Sequence, residues 1–215
     1  MKEKIIKALE KAKSNSKPRK FTQSWEIAIN LRDMDLKKPE NRVTLYVTLP
    51  NGRGKPAKIG AFVGEALHLQ AKELCDLVIH EKEFENYQPR EMRKIARQID
   101  FFIAQADLMP KIAKYFGKYL AGKGKMPDPK YGGVLPPNAN LKPIVEKLKK
   151  TVRLIAKKQP VIHSVIGSED MELEKVAENG EYLINELIKA LPRGKENIRS
   201  VWVKLSMGPA VRVEW

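Results

Sequence analysis

The sequence has very few of the residues on which disulfide bonds and metal sites depend. Its 215 residues include one cysteine, Cys75, and three histidines. One cysteine forms no intramolecular disulfide, and the apolar run around it, LCDLVIH, predicts a buried thiol. His68, His80 and His163 are far apart in the sequence and have no second cysteine or E-x-x-H partner near them. We therefore expect no metal site and no cofactor.

The motifs of nucleotide enzymes and serine hydrolases are missing too. The chain has no G-x-x-x-x-G-K-[ST] loop and no G-x-G-x-x-G turn, and FVGEAL offers one glycine, too few to cradle a pyrophosphate. No serine stands in a G-x-S-x-G elbow. These absences argue against an enzyme that uses the α/β part of the chain on a nucleotide. We expect a protein that is not an enzyme.

Long apolar runs are absent as well. No stretch approaches the ~20 apolar residues that a membrane helix needs. Charges interrupt the amino-terminal helical pattern MKEKIIKALEKAK every few residues, so no apolar core of signal-peptide length appears. We expect a cytoplasmic protein without a membrane partner.

Acidic residues are scarce relative to basic ones. The chain has 26 Asp+Glu against 41 Lys+Arg, a formal charge of +15, and 42% hydrophobic residues. This composition is typical of a globular, strongly basic protein whose natural partner is a polyanion. The charge alone leaves other interpretations open. The lysines could simply solvate the surface, or the protein could be an interaction module for DNA or for an acidic protein.

The hydrophobic pattern divides the chain into three regions. Strands that alternate apolar and polar residues, such as SWEIAINL, fill the first region and return in the third around a long amphipathic helix. Between them, short continuous apolar runs alternate with helical stretches, which predicts a parallel sheet covered by helices. We predict one domain, 1–57 and 152–215, that is split by insertion of a second, 58–151. Residues 122–140 are predicted to form one long loop.

Basic, aromatic and hydroxyl side chains stand together just before the first strand. Cations hold phosphates, an aromatic ring stacks on a base or ribose, and hydroxyls bond phosphate or 2′-OH groups. Phe21 also fits a second interpretation, as the first core residue of the strand. The candidate residues of this segment are Arg19, Lys20, Phe21, Thr22 and Ser24.

Near the carboxy terminus an alternating pattern predicts strands at 201–205 and 210–215, and it is broken between them at SMGP. Gly208 would leave room for a polynucleotide backbone to approach the main chain, and Pro209 would stiffen the turn and end the ladder. Met207 would supply a soft apolar surface for a ribose or base. The candidate residues of this segment are Lys204, Ser206, Met207, Gly208 and Pro209.

Over nearly its whole length the sequence resembles the large-subunit ribosomal protein L-one family, of the archaeal and eukaryotic type. The resemblance rests on KFTQSWEIAINLRDMDLKKPENRV, LPNGRGK, GKGKMPDP, VIHSVIG and SMGPAVRV, in this order. It implies an α/β protein with two domains. The first is a discontinuous α+β domain resembling a split β-α-β unit, and the second is an inserted three-layer, Rossmann-like α/β domain.

The resemblance also implies a function. Family members bind the large-subunit rRNA segment that forms the mobile stalk beside the exit site, where deacylated tRNA leaves. Bacterial and archaeal members also repress translation by binding a similar fold in their own mRNA. We expect this chain to bind rRNA, its own mRNA and exit-site tRNA, to assist tRNA release, and to be a monomer when free.

The family motifs place an RNA surface on the first domain. Ser206 stands where the family often has threonine, which keeps the hydroxyl but removes a methyl contact. His163 and Gly167 match a family motif near the same face and are assigned a supporting role, as is Arg19. Lys123 and Lys125 would serve a weaker RNA contact of the second domain. The residues carried over to the main surface are Lys20, Phe21, Thr22, Ser24, Lys204, Ser206, Met207, Gly208 and Pro209.

Overall fold

A computed structural model describes residues 1–214, and its contacts divide the chain into two compact units. Unit 1 is Met1–Pro56 with Lys150–Trp215, and unit 2 is Ala57–Lys149. The domain bounds predicted from the sequence differ from these by one or two residues. The predicted fold class, a mixture of helices with antiparallel and parallel sheets, is confirmed.

Unit 1 contains a split β-α-β arrangement. Its four-stranded sheet has the order β10-β9-β1-β8, and every neighbouring pair is antiparallel. Strands β8 and β9, which α6 connects, are therefore parallel to each other, with β1 inserted between them. Strands β2 and β7 form a separate antiparallel ribbon. The elements are α1 (Lys2–Ser14), β1 (Ser24–Leu31), β2 (Val43–Thr48), β7 (Thr151–Ala156), β8 (Val161–Ser168), α6 (Leu173–Ala190), β9 (Ile198–Leu205) and β10 (Val211–Val213).

The four-stranded sheet buries one face only. Every second side chain of β1, from Trp25 to Leu31, is at most 4% exposed and lies in one core with the apolar stripes of α1 and α6. This alternation is the pattern expected of a strand with one wet face. The opposite side chains of β1 are partly exposed, namely Ser24, Glu26, Ala28 and Asn30.

Unit 2 is built on a parallel sheet with the order β4-β3-β5-β6. All five residues of β3 are buried, so both faces of this sheet are covered. Phe62 and Phe102 stack on one face, where α3 and α4 contribute to the same core. The elements are β3 (Ile59–Val63), α2 (Glu65–Leu74), β4 (Leu77–His80), α3 (Pro89–Gln98), β5 (Phe101–Gln105), α4 (Met109–Ala121), β6 (Val134–Leu135) and α5 (Leu141–Lys150).

The prediction that 122–140 form one loop is wrong, because β6 lies inside this segment. Val134 and Leu135 pair with Ala104 and Gln105 of β5, and the N–H of Ala104 donates to the carbonyl of Gly133 at 2.7 Å. Two apolar residues between glycines and prolines are too few to show a strand period.

Two smaller predictions also need correction. The strand predicted at 210–215 is limited to Val211–Val213, and Trp215 lies outside the described residues. Cys75 is partly exposed instead of fully buried, although desolvation, assisted by the charge of Asp76, raises the pKa of its thiol to about 11. No helix within 1–214 combines the length and apolarity needed to cross a bilayer.

Candidate RNA-binding surface

Main-chain hydrogen bonds hold the two predicted RNA-binding segments side by side in unit 1. The N–H of Ser206 donates to the carbonyl of Ser24 at 3.1 Å, which extends the pairing of β1 with β9 by one step. The turn then closes when the N–H of Gly208 donates to the carbonyl of Leu205 at 2.9 Å. We call residues 20–24 and 206–209 the candidate RNA surface.

Gln23 fixes this arrangement, and the sequence did not single it out. Its side chain is 1% exposed, and its Oε1 accepts a hydrogen bond from the N–H of Met207 at 3.1 Å. Its main chain is held by Glu169, whose Oε2 accepts from the Gln23 N–H at 3.1 Å and whose N–H donates to the Gln23 carbonyl at 2.9 Å. Counting back by two from Trp25 predicts a buried side chain at 23, which for glutamine requires internal hydrogen bonds.

Glu26 is a second missed residue. Its Oε1 accepts a hydrogen bond from Ser206 Oγ at 2.8 Å. The Ser206 hydroxyl proton is therefore used inside the protein, and what Ser206 offers a ligand is its oxygen lone pairs. A threonine at the same position would keep this bond. The acidic side chain on a basic surface gave no sequence signal, because its partner lies 180 residues away.

Phe21 and Met207 are the apolar part of the candidate RNA surface. Phe21 is 55% exposed and Met207 is 59% exposed. The alternative interpretation of Phe21, as a core residue at the start of the strand, is therefore wrong. Large apolar side chains presented to solvent on neighbouring, hydrogen-bonded segments are typical of a binding surface.

The structure gives Gly208 an internal reason for having no side chain. A Cβ at this position would lie 2.2 Å from Ser16 Oγ, which donates to the carbonyl of Ala12 at 2.6 Å near the end of α1. The group that lies close to Gly208 is therefore the Ser16 side chain, which follows α1 in the protein itself. The expectation that Gly208 makes room for a polynucleotide is not needed to explain this residue.

Alanine at Gly208 is accordingly expected to destabilise the protein by about 1 kcal/mol, since the Ser16 side chain must turn away from its hydrogen bond. Removing the Ser16 oxygen as well, in Ser16→Ala/Gly208→Ala, should abolish most of the additional effect of the alanine at 208. Urea denaturation of the two single variants and the double variant measures this coupling. Strictly additive losses would contradict the proposed contact.

Basic groups surround the two segments. Arg19 and Lys20 are exposed, and Lys204 is partly exposed on β9 opposite Glu26. Lys55, which the sequence did not single out, donates from its Nζ to the carbonyl of Thr22 at 2.6 Å. The segment that precedes unit 2 therefore contacts the candidate RNA surface at Thr22.

The supporting residues fall in different places. His163 is exposed on β8, opposite Ala28 on the open face of the sheet. Gly167 is buried on the other face, where a Cβ would lie 2.8 Å from Val176 Cγ2 of α6, so it serves close packing. Lys123 and Lys125 belong to unit 2, where the Nζ of Lys125 donates to the carbonyl of Ile99.

At the carboxyl edge of the parallel sheet of unit 2, an N–H group at the start of α2 is occupied by the protein itself. In doubly wound folds a phosphate is bound there by free N–H groups where a helix begins. Here the N–H of Gly64, before α2, donates to Gln105 Oε1 at 3.1 Å, so the protein's own side chain occupies it. No group of three or more His, Cys, Asp or Glu side chains suited to a metal ion occurs within 1–214.

Comparison with known proteins assigns the chain to a family. Residues 9–209 match the profile described as the Ribosomal protein L1p/L10e family. The chain is 51% identical to large ribosomal subunit protein uL1 of Thermococcus kodakarensis, an alignment covering 99% of this chain and 97% of that one. It is 44% identical to the uL1 of Methanothermobacter thermautotrophicus, over 99% and 100%, and 42% identical to that of Archaeoglobus fulgidus, over 99% and 98%. The chain belongs to the ribosomal protein L1p/L10e family and is a structural, non-enzymatic ribosomal protein.

Proposed function

We propose that this protein is a component of the large ribosomal subunit that holds a structured segment of rRNA against the candidate RNA surface of unit 1. Family membership supports the subunit and the rRNA as partners, since the relatives named above are large-subunit proteins. The assignment of the contact to residues 20–24 and 206–209 rests on their geometry. No chemical step is involved.

The observation that carries the proposal is the joint exposure of Phe21 and Met207. The main chain of Met207 is fixed by its hydrogen bond to Gln23, and Phe21 lies two residues before Gln23. Exposed apolar side chains on and beside hydrogen-bonded main chain suit stacking on unpaired bases and ribose. Flexible loops would lose more conformational entropy on binding.

Specificity and attraction come from different groups in this proposal. Ser206, Thr22 and the fixed main chain would read the shape and the 2′-OH groups of RNA, which DNA lacks. The exposed cations, within a chain of formal charge +15, would supply the salt-dependent part of the affinity. Each phosphate neutralised in this way contributes roughly 0.7 to 0.9 to the slope of log affinity against log salt.

The finer parts of the function follow from the family resemblance. We propose that the rRNA segment is the mobile stalk beside the exit site and that the protein assists release of deacylated tRNA there. The same surface would bind a similar fold in the protein's own mRNA and repress its translation. A single surface for both RNAs explains how excess free protein, as a monomer, would act as repressor.

A deletion tests whether unit 1 holds the main contact. The chain enters and leaves unit 2 at neighbouring points, since the N–H of Ala57 donates to the carbonyl of Lys149 at 3.2 Å. A short Gly/Ser linker in place of 57–149 should therefore leave unit 1 folded, with most of its affinity for a stalk-like rRNA fragment. Filter binding measures the affinity, and circular dichroism reports the fold.

Unit 2 alone, 57–149, is the matched control and should bind the fragment weakly. A deletion protein that folds but loses nearly all affinity would place the main contact in unit 2 and overturn the assignment.

A further inference from the structure

The open face of the four-stranded sheet contains a pocket that the candidate RNA surface does not include. Its volume is about 480 Å³, within the range of small-ligand sites, and its described lining is Asn30, Arg199, Ser200, Trp202 and Arg212. Trp202 lies on β9 four residues before Ser206, which directly follows this strand, so the two are roughly 13 Å apart. The pocket therefore lies on the same unit, along the strand that leads to Ser206.

A β-bulge brings Arg199 into this pocket. In the pairing of β1 with β9, Asn30 faces Ser200 and Leu31 faces Ile198, so Arg199 has no partner residue on β1. Regular alternation would place Arg199 on the core side with Val201, which is fully buried. The extra residue instead directs the arginine to the same side as Ser200 and Trp202. Bulges often aim side chains in this way beside functional sites.

The hydrogen bonds of Ser200 leave its hydroxyl proton as a donor for a ligand. Ser200 Oγ accepts from Asn30 Nδ2 at 2.8 Å and from Trp202 Nε1 at 3.1 Å. A hydroxyl oxygen has two acceptor positions, so both are used and the hydroxyl proton remains to be donated. Ser200 is only 8% exposed, so an acceptor that enters the pocket is its natural partner.

The charge of the pocket selects an anion. Arg199 and Arg212 are both exposed, and within 1–214 neither guanidinium is in an ion pair. No acidic side chain is among the described lining residues. Arg212 pairs directly with Trp202 across β10 and β9. Trp202 is partly exposed and lies opposite the small side chain of Ala28 on β1. A cation beside an indole suits a phosphate joined to a flat base or a ribose.

We propose that this pocket binds one unstacked nucleotide of the RNA, with its phosphate at Arg199 and Arg212 and its base or ribose against Trp202. The proposal rests on the proposed function, because it extends the same RNA contact along β9. The chemistry of the ligand, a nucleoside phosphate, is shared by a nucleotide within RNA and a free nucleotide. We assign the pocket to RNA because its two cations lie on unit 1, on β9 and β10, the two strands that are joined through residues 206–209 of the candidate RNA surface.

Variants at the exposed Arg212 and the partly exposed Trp202 test this. Arg212→Gln should weaken binding of a stalk-like rRNA fragment about 5-fold at moderate salt and lower the salt slope by about 0.7 to 0.9. Trp202→Ala should weaken binding about 10-fold, and Trp202→Phe should restore most of the loss because a stacking ring remains. Lys7→Gln, the control, removes the same charge from α1, on the opposite face of the sheet, and should change the affinity far less.

The outcomes separate this inference from the proposed function. If the wild-type protein does not prefer the rRNA fragment over the same sequence made as DNA, the proposed function and the pocket proposal both fail. The second case is that the wild type binds and Met207→Ala weakens binding. If Arg212→Gln and a folded Trp202→Ala then behave like Lys7→Gln, the pocket proposal alone is overturned. Titration with AMP tests whether the pocket binds a free nucleotide instead of a nucleotide within RNA. Saturable AMP binding that Arg212→Gln abolishes while rRNA affinity stays unchanged would identify a free-nucleotide site and also overturn the proposal.

Discussion

Alanine at Met207 is expected to weaken binding of a stalk-like rRNA fragment by about 1 to 3 kcal/mol, and alanine at Phe21 by a similar amount, the range for loss of a stacking contact. Both side chains are more than half exposed, so their removal takes little from the core. The main chain that carries Met207 is held by Gln23 and should keep its position. Filter-binding titrations at fixed salt measure the loss.

Leu69→Ala is the matched control for these two variants. Leu69 is 76% exposed on α2 of unit 2, so the change removes a comparable apolar side chain from a place outside the candidate RNA surface. Its rRNA affinity should equal that of the wild type. If Met207→Ala and Phe21→Ala also bind like the wild type, with unchanged unfolding transitions, neither residue belongs to the RNA contact.

Alanine at Asn179 is expected to lower the free energy of unfolding of unit 1 by about 3 kcal/mol, because a fully buried hydrogen-bonding group is removed and its partners are left unsatisfied. Asn179 Nδ2 donates to the carbonyls of Gly52 and Ile166 at 2.7 and 2.8 Å, and its Oδ1 accepts from the N–H of Asn51 at 3.0 Å. This one side chain joins α6, β8 and the segment that leads to Lys55.

The Ile166 carbonyl depends on Asn179 for a geometric reason. The register of β1 with β8 passes from Trp25↔Gly167 to Glu26↔Val165, so Ile166 is the extra residue of a bulge. Asn179 supplies the hydrogen bond to its carbonyl from the helix.

Urea denaturation followed by tryptophan fluorescence measures this prediction. The three tryptophans of the chain, at 25, 202 and 215, all lie outside 57–149, so the signal reports on unit 1. Asn15→Ala, an exposed asparagine just after α1, is the control and should cost much less. A loss below about 1 kcal/mol for Asn179→Ala would mean that water takes over these bonds, contrary to the account.

Local pattern was sufficient for most of the fold. Strand β1 occupies the predicted residues 24–31. Its strict alternation of buried and partly exposed side chains defines where the strand begins and ends. Strand β6 was missed because two residues are too few to show the alternation of apolar and polar side chains that identifies a strand. The bulges at Ile166 and Arg199 were also beyond the sequence, since each depends on how two distant strands pair.

The candidate RNA surface was also predicted only in part. Family motifs identified both of its segments, and the assignment of its residues to RNA stays a prediction. The residues that position it, Gln23, Glu26 and Lys55, were missed because each acts through a partner in another segment, and for Gln23 and Glu26 that partner is more than 140 residues away. Gly208 was noticed, but the contact that explains it, with Ser16 at the end of α1, cannot be read from the sequence.

The most direct test of the account compares the affinity of the purified protein for a stalk-like large-subunit rRNA fragment and for the same sequence made as DNA, across a salt series. A preformed surface that reads shape and 2′-OH groups predicts tight RNA binding that keeps a large preference over DNA at high salt. Affinities for RNA and DNA that are equal and fall together as salt rises would contradict it, because charge alone would then account for binding.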